Sequence, residues 1–267
     1  MPTLSSLPLP WKLLITLFLI VLSAGFAVSE LYLMHTAEMA DGKEGMSLDD
    51  ITITFHGDKT RTRLRSQATG AMKKYFSAEE EPDKLTDAEQ VEFKTLLAWN
   101  DAGAPESEFW DKAEKSKKPG PIFTILDTHC MSCHSPEGMK KDDALDTFAG
   151  VSKFTEPDTG IEVGRLLMLS HVHLLGMGMM FLLVGAAVAM SSFPTWMRCT
   201  LIVGGLSSIL FDIFGWWGVK YFGAGFSPIV MLGGVAMVGA FAGSVFVAMY
   251  DMWVRKRGMG VPPMLSQ

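Results

Sequence analysis

The chain has 267 residues, 48% of them hydrophobic and 19% charged, with a formal net charge of −6. Three cysteines exclude a disulfide-rich scaffold, and the acidic balance gives no reason to expect nucleic acid as a partner. The apolar residues are gathered into a few long runs, which points to a membrane protein.

The first run, residues 13–34, contains one charge, Glu30, and is long enough for a hydrocarbon core of about 30 Å. Gly25-Phe26-Ala27 loosely resembles a signal-peptide cleavage site, but the segment is expected to be a retained anchor. Residues 166–193, 199–219 and 226–250 form three more such runs, so four transmembrane helices are expected. Between Thr36 and Val163 there are 26 acidic and 16 basic side chains, which leaves ten net negative charges. The rest of the chain holds three acids, Glu30, Asp212 and Asp251. The expected fold is an all-α membrane protein with a mostly helical extracytoplasmic domain inserted between helices 1 and 2. Its parts are an anchor (1–35), the inserted domain (36–163), a three-helix bundle (164–257) and a cytoplasmic tail (258–267).

Basic residues set the expected orientation. Lys12, Arg198 and Arg255-Lys256-Arg257 flank the runs at one end, which the positive-inside rule places in the cytoplasm. Trp11, Trp196, Trp216, Trp217 and Trp253 fall at expected helix ends, where an aromatic belt would put them.

Within the inserted domain, residues 63–76 are expected to form a helix with a basic face. Thr86-Asp87-Ala88-Glu89 has capping-box spacing ahead of Val91, Phe93, Leu96 and Leu97, which suit one helical face. Pro105 opens a second expected helix through Trp110, and Pro119-Gly120-Pro121 ends it. Residues 122–134 are expected to be a short helix carrying the sequence CMSCH.

That pentapeptide holds the strongest chemical signal. Thiols at Cys130 and Cys133 can add to the two vinyl groups of a haem, and the adjacent His134 can then reach its iron. A C-x-x-C pair also fits half of a zinc site or a thioredoxin-like redox pair. The other cysteine, Cys199, lies in a membrane run, and no βαβ setting surrounds the pair. On CMSCH, with Pro121-Ile122 leading to Cys130 and Asp143 to Phe148 after it, the chain resembles membrane-anchored monohaem c-type cytochromes over about 30 residues. The resemblance implies covalent haem c on Cys130 and Cys133, with His134 as proximal iron ligand. The late position of the motif is more like class II cytochromes than class I, so the sixth ligand is expected upstream. Met72 leads as distal candidate, ahead of His56 and Met139; the plainer alternative makes Met72 a core residue and puts His56 in a turn.

The membrane segments carry a second set of candidates. His171 and His173 lie about 9 and 12 Å into helix 2, and Asp212 about 10 Å from the outer end of helix 3, at roughly 1.5 Å per residue. With His35 at the outer end of helix 1, these groups are expected in the outer leaflet beneath the haem domain. His171 and His173 are about 200° apart around a helix, so they cannot face one partner. His35 and His173 are candidate haem b ligands, and Asp212 with His171 a candidate quinone or proton site. Hydrogen-bonded glue between helices is the plainer alternative. Gly176 and Gly178 would let a macrocycle or a backbone approach, and Gly239 with Gly243 is expected to pack helices.

The expected function is electron transfer at the periplasmic face of a bacterial inner membrane, between quinol or haem b and a periplasmic or complex-bound partner. An electron-transfer subunit of a larger membrane complex is expected rather than a free-standing enzyme. A structural or assembly subunit and a haem-based sensor are the alternatives.

Overall fold

The computed structural model describes residues 3–37, 40–41, 43, 45–70, 72–77, 84–110 and 119–255, the side chains of residues 35–37 excepted. Lys256, Arg257 and the expected tail therefore lie outside the described residues. Among those described, the α-helices are α1 Leu9–Ala37, α2 Leu48–Phe55, α3 Arg63–Thr69, α4 Asp87–Asp101, α5 Glu106–Phe109, α6 Pro121–His129, α7 Phe148–Ser152, α8 Val163–Ala189, α9 Thr195–Phe222 and α10 Ser227–Trp253. The extended contacts among them are two isolated antiparallel bridges, Thr62 with Pro157 and Trp110 with Pro119. The chain divides into two compact units, one of Met1–Tyr32 with Glu162–Gln267 and one of Leu33–Ile161.

The first unit holds four helices long and apolar enough to cross a membrane: Leu9–Met34, Val163–Ala189, Thr195–Phe222 and Ala224–Trp253, of 26 to 30 residues. Such helices carry little hydrophobic drive to associate in lipid, so close packing and polar bonds must hold them. Helix α10 approaches α9 at Gly233, where an added Cβ would come within 3.0 Å of the Asp212 backbone. Phe241 of α10 stacks on Phe26 of α1, with ring centroids 4.6 Å apart. Gly243 faces Leu201, whereas Gly239 has nothing near it, so the pair expected to pack together is split: one member inside and one outside.

The second unit is stitched at its ends. Leu64 N donates to Phe154 O, Arg63 N to Glu156 O at 2.9 Å, and Ile161 N to Thr54 O at 2.9 Å. The segment that leaves the unit thereby lies along the one that enters it. Gly57, at φ 82°, permits this: a Cβ there would stand 2.3 Å from Asp158 O. The core gathers Leu64 and Ala68 of α3, Leu96 and Trp99 of α4, Phe109 of α5, and Ile122, Ile125 and Leu126 of α6.

Local sequence accounts for most helix ends. Ser47 with Asp50 and Thr86 with Glu89 form reciprocal capping boxes on α2 and α4. The helix expected over residues 63–76 breaks, however: α3 stops at a Gly70 cap, and a separate 3-10 turn covers Lys73–Phe76. Val91 was expected on the buried face of α4 but is 64% exposed, while Leu96 is buried. Trp216 and Trp217, in the last two turns of α9, bond within the bundle, Trp216 Nε1 to Asp212 and Trp217 Nε1 to Ser170.

Candidate functional site

Helix α6 presents the thiols. Gly120 and Pro121 start it against α5, where a Cβ on Gly120 would meet Phe109 O at 2.7 Å. Ile122, Ile125 and Leu126 then fix its inner face. The helix ends at His129, earlier than the expected residue 134, and CMSCH forms the turn that follows. Met131 enters the core there, and Pro136 disfavours helix at the residue before it.

Within this turn the carbonyl of Cys130 accepts from both Cys133 N, at 3.1 Å, and His134 N, at 2.9 Å. The loop beyond folds back onto it: Lys140 N donates to Cys133 O and Leu145 N to His134 O, each at 2.9 Å. Gly138 is required by this return, because a Cβ would fall 2.3 Å from Cys133 O. The loop's most consequential bond runs from His134 Nδ1 to Asp143 O at 2.9 Å. A carbonyl only accepts, so Nδ1 carries the proton and Nε2 offers a lone pair.

Both thiols are free. Burial, with Cys133 adding a smaller effect, pushes the Cys130 thiol up to about 12, so it stays protonated near neutral pH. Among the described residues no three His, Cys, Asp or Glu side chains converge on a point that could hold a metal ion.

The distal candidates are scattered. Met72 begins the 3-10 turn after α3 rather than sitting in that helix, His56 caps the C-terminus of α2, and Met139 is 86% exposed. One partner of the motif was not foreseen. His129, next to Cys130, stacks on Phe76 at 4.8 Å and bonds Glu92 of α4 at 2.7 Å. Nothing in the sequence marks that bond, since the two residues are 37 positions apart.

The bundle separates its histidines. His171 is exposed and His173 half-buried, as their angular spacing requires. His173 Nδ1 donates to Leu169 O at 2.8 Å, leaving Nε2 free, and its ring meets Trp216 edge-on at 5.0 Å. Trp216 Nε1 donates to Oδ1 of Asp212, which is 8% exposed, so Trp216 stands between the histidine and the carboxylate. Ser170 ties α8 to α9 by accepting from Trp217 Nε1 at 3.0 Å. Gly176 and Gly178 have nothing within 4 Å. The side chain of His35 lies outside the described residues.

A family model described as a transmembrane helical domain matches residues 138–259. The match begins four positions after His134, so it takes in α8, α9 and α10 but not the thiols. No curated protein and no solved structure matches the chain. With the four apolar spans, the match makes this an all-helical membrane protein.

Proposed function

We propose that the chain is a membrane-bound c-type cytochrome subunit that carries electrons at the periplasmic face of a bacterial inner membrane, exchanging them between quinol and a periplasmic or complex-bound partner. The carrying observation is the His134 Nδ1 bond to Asp143 O, which orients the ring and leaves the Nε2 lone pair available on the same turn as two free thiols. Cys130 and Cys133 would attach the vinyl groups, and His134 would bind the axial position. Haem c, when bound, supplies a one-electron iron couple.

The bundle contributes the proton chemistry of this scheme. Quinol oxidation releases two protons for every two electrons, and His173 Nε2 with Asp212 offers two places to receive them next to the Trp216 ring. Haem b would take His35 and His173 as its ligands, and the side chain of His35 lies outside the described residues.

The test is a reduced pyridine haemochrome spectrum of the purified full-length chain. A haem c spectrum, lost in Cys130→Ser with Cys133→Ser, is the expected result. A spectrum without covalent haem would overturn the proposal, and a mixed spectrum would reinstate haem b in the bundle. With covalent haem present, His173→Ala is expected to slow reduction of the haem by quinol while leaving the haem content unchanged.

A further inference from the structure

The end of the bundle that carries Lys12, Arg198 and Arg255 is built differently from a merely solvated rim. Among the described residues none of these three cations makes an ion pair, yet each is held in place. Lys12 Nζ donates to Met252 O at 2.8 Å and lies 5.7 Å from the centre of the Trp253 ring. Arg198 donates from Nη1 to Ala189 O at 2.9 Å and from Nη2 to Thr195 Oγ1 at 3.2 Å. The Arg255 guanidinium sits 4.9 Å over Phe193. The carboxylate of Asp251, at the same end, is fully buried: its Oδ1 accepts from Ser192 Oγ, and its Oδ2 has no hydrogen-bond partner.

These contacts use only part of each donor set, since an ammonium has three N–H groups and a guanidinium five. Arg198 Nε is buried without a partner, which leaves the remaining guanidinium N–H groups to face outward ligands. The anchors also fix depth: Ala189, Thr195 and Trp253 are the ends of three spans, where lipid headgroups begin.

We infer that this end binds the phosphate headgroup of an anionic phospholipid through Lys12, Arg198 and Arg255. A lipid fits better than free phosphate, because the exposed Trp11 and Trp196 rings nearby provide apolar surface for its glycerol and upper acyl region. The inference is independent of what the thiols carry.

The experiment titrates the detergent-solubilised full chain with phosphatidylglycerol, phosphatidylcholine or inorganic phosphate, reading unfolding temperature and bound lipid by native mass spectrometry. Phosphatidylglycerol is expected to bind and stabilise, less so at high salt. Lys12→Gln, Arg198→Gln and Arg255→Gln are each expected to weaken it about fivefold, from roughly 1 kcal/mol per basic residue near an anionic surface. Arg198→Lys, which keeps the charge, should recover most of the loss and separates charge from folding. Lys94→Gln, on α4 of the other unit, should change nothing. Equal binding of phosphatidylcholine, retention of the preference in the triple Gln variant, or equal stabilisation by inorganic phosphate would each overturn the inference.

Discussion

His134 and His173 make the same bond by different means. In both rings Nδ1 donates to a backbone carbonyl and Nε2 is left free. His173 uses Leu169, four residues back on its own helix, so its orientation is guaranteed as soon as α8 forms. His134 uses Asp143, nine residues ahead across a loop, so its orientation exists only when that loop is folded. The thiol turn is thus a tertiary construction, while the bundle histidine is a local one. Substitutions that disturb packing should therefore reach the first and spare the second.

The largest expected effect comes from Cys130. Its folded value is raised from an ordinary 9.0 to about 12, so folding favours the neutral thiol. That contribution is complete below pH 9 and is lost as pH rises from 9 toward 12, by at most roughly 4 kcal/mol at about 1.4 kcal/mol per unit. Alkaline unfolding of haem-free protein, followed by circular dichroism, should show this fall, and Cys130→Ala should flatten it. Protein with a thioether at Cys130 has no thiol to titrate and should not show it. A haem-free protein with unchanged stability across that window would mean that Cys130 is not buried as described.

Next in size is Gly138→Ala. The new Cβ would press on Cys133 O from 2.3 Å, and a shift of backbone against backbone costs about 1–3 kcal/mol. The return loop carries Asp143, so haem incorporation should fall along with the unfolding temperature. Gly176→Ala on α8 meets nothing within 4 Å and should leave both unchanged or slightly raise stability. Equal effects of the two substitutions would erase the contrast between loop-built and helix-built sites.

Legibility in the sequence followed the same division. The four spans were readable because hydropathy over some 20 residues needs no partner, and the Thr86–Glu89 box because its atoms are three residues apart. Residues 130–134 carried the expectation of haem attachment, but nothing in them pointed to the Asp143 carbonyl that orients His134 or the Glu92 carboxylate on His129, for these depend on how the chain returns. The break at Gly70 was missed because the periodicity of residues 63–76 continues across it. In the bundle, the angular separation of His171 and His173 followed from helical geometry alone. Which of them faces inward did not, because that is fixed by where Trp216 of α9 lies.

The smallest expected effect tests that last point. Trp216→Phe keeps an aromatic ring beside His173 but removes the donor to Asp212, leaving an 8% exposed carboxylate oxygen without its bond. A single hydrogen bond contributes roughly 0.5–1.5 kcal/mol net, and this one, local to α9, belongs at the lower end. Asp212→Asn retains an acceptor for Trp216 and should cost less than Trp216→Phe. His171→Leu replaces an exposed imidazole with an apolar side chain on a membrane span, so it should leave stability unchanged or raise it. Unfolding in mixed micelles should rank the three with Trp216→Phe the least stable. If His171→Leu is the most damaging instead, the inward face of α8 carries His171, and the proposed proton acceptors must be sought there rather than at His173 and Asp212.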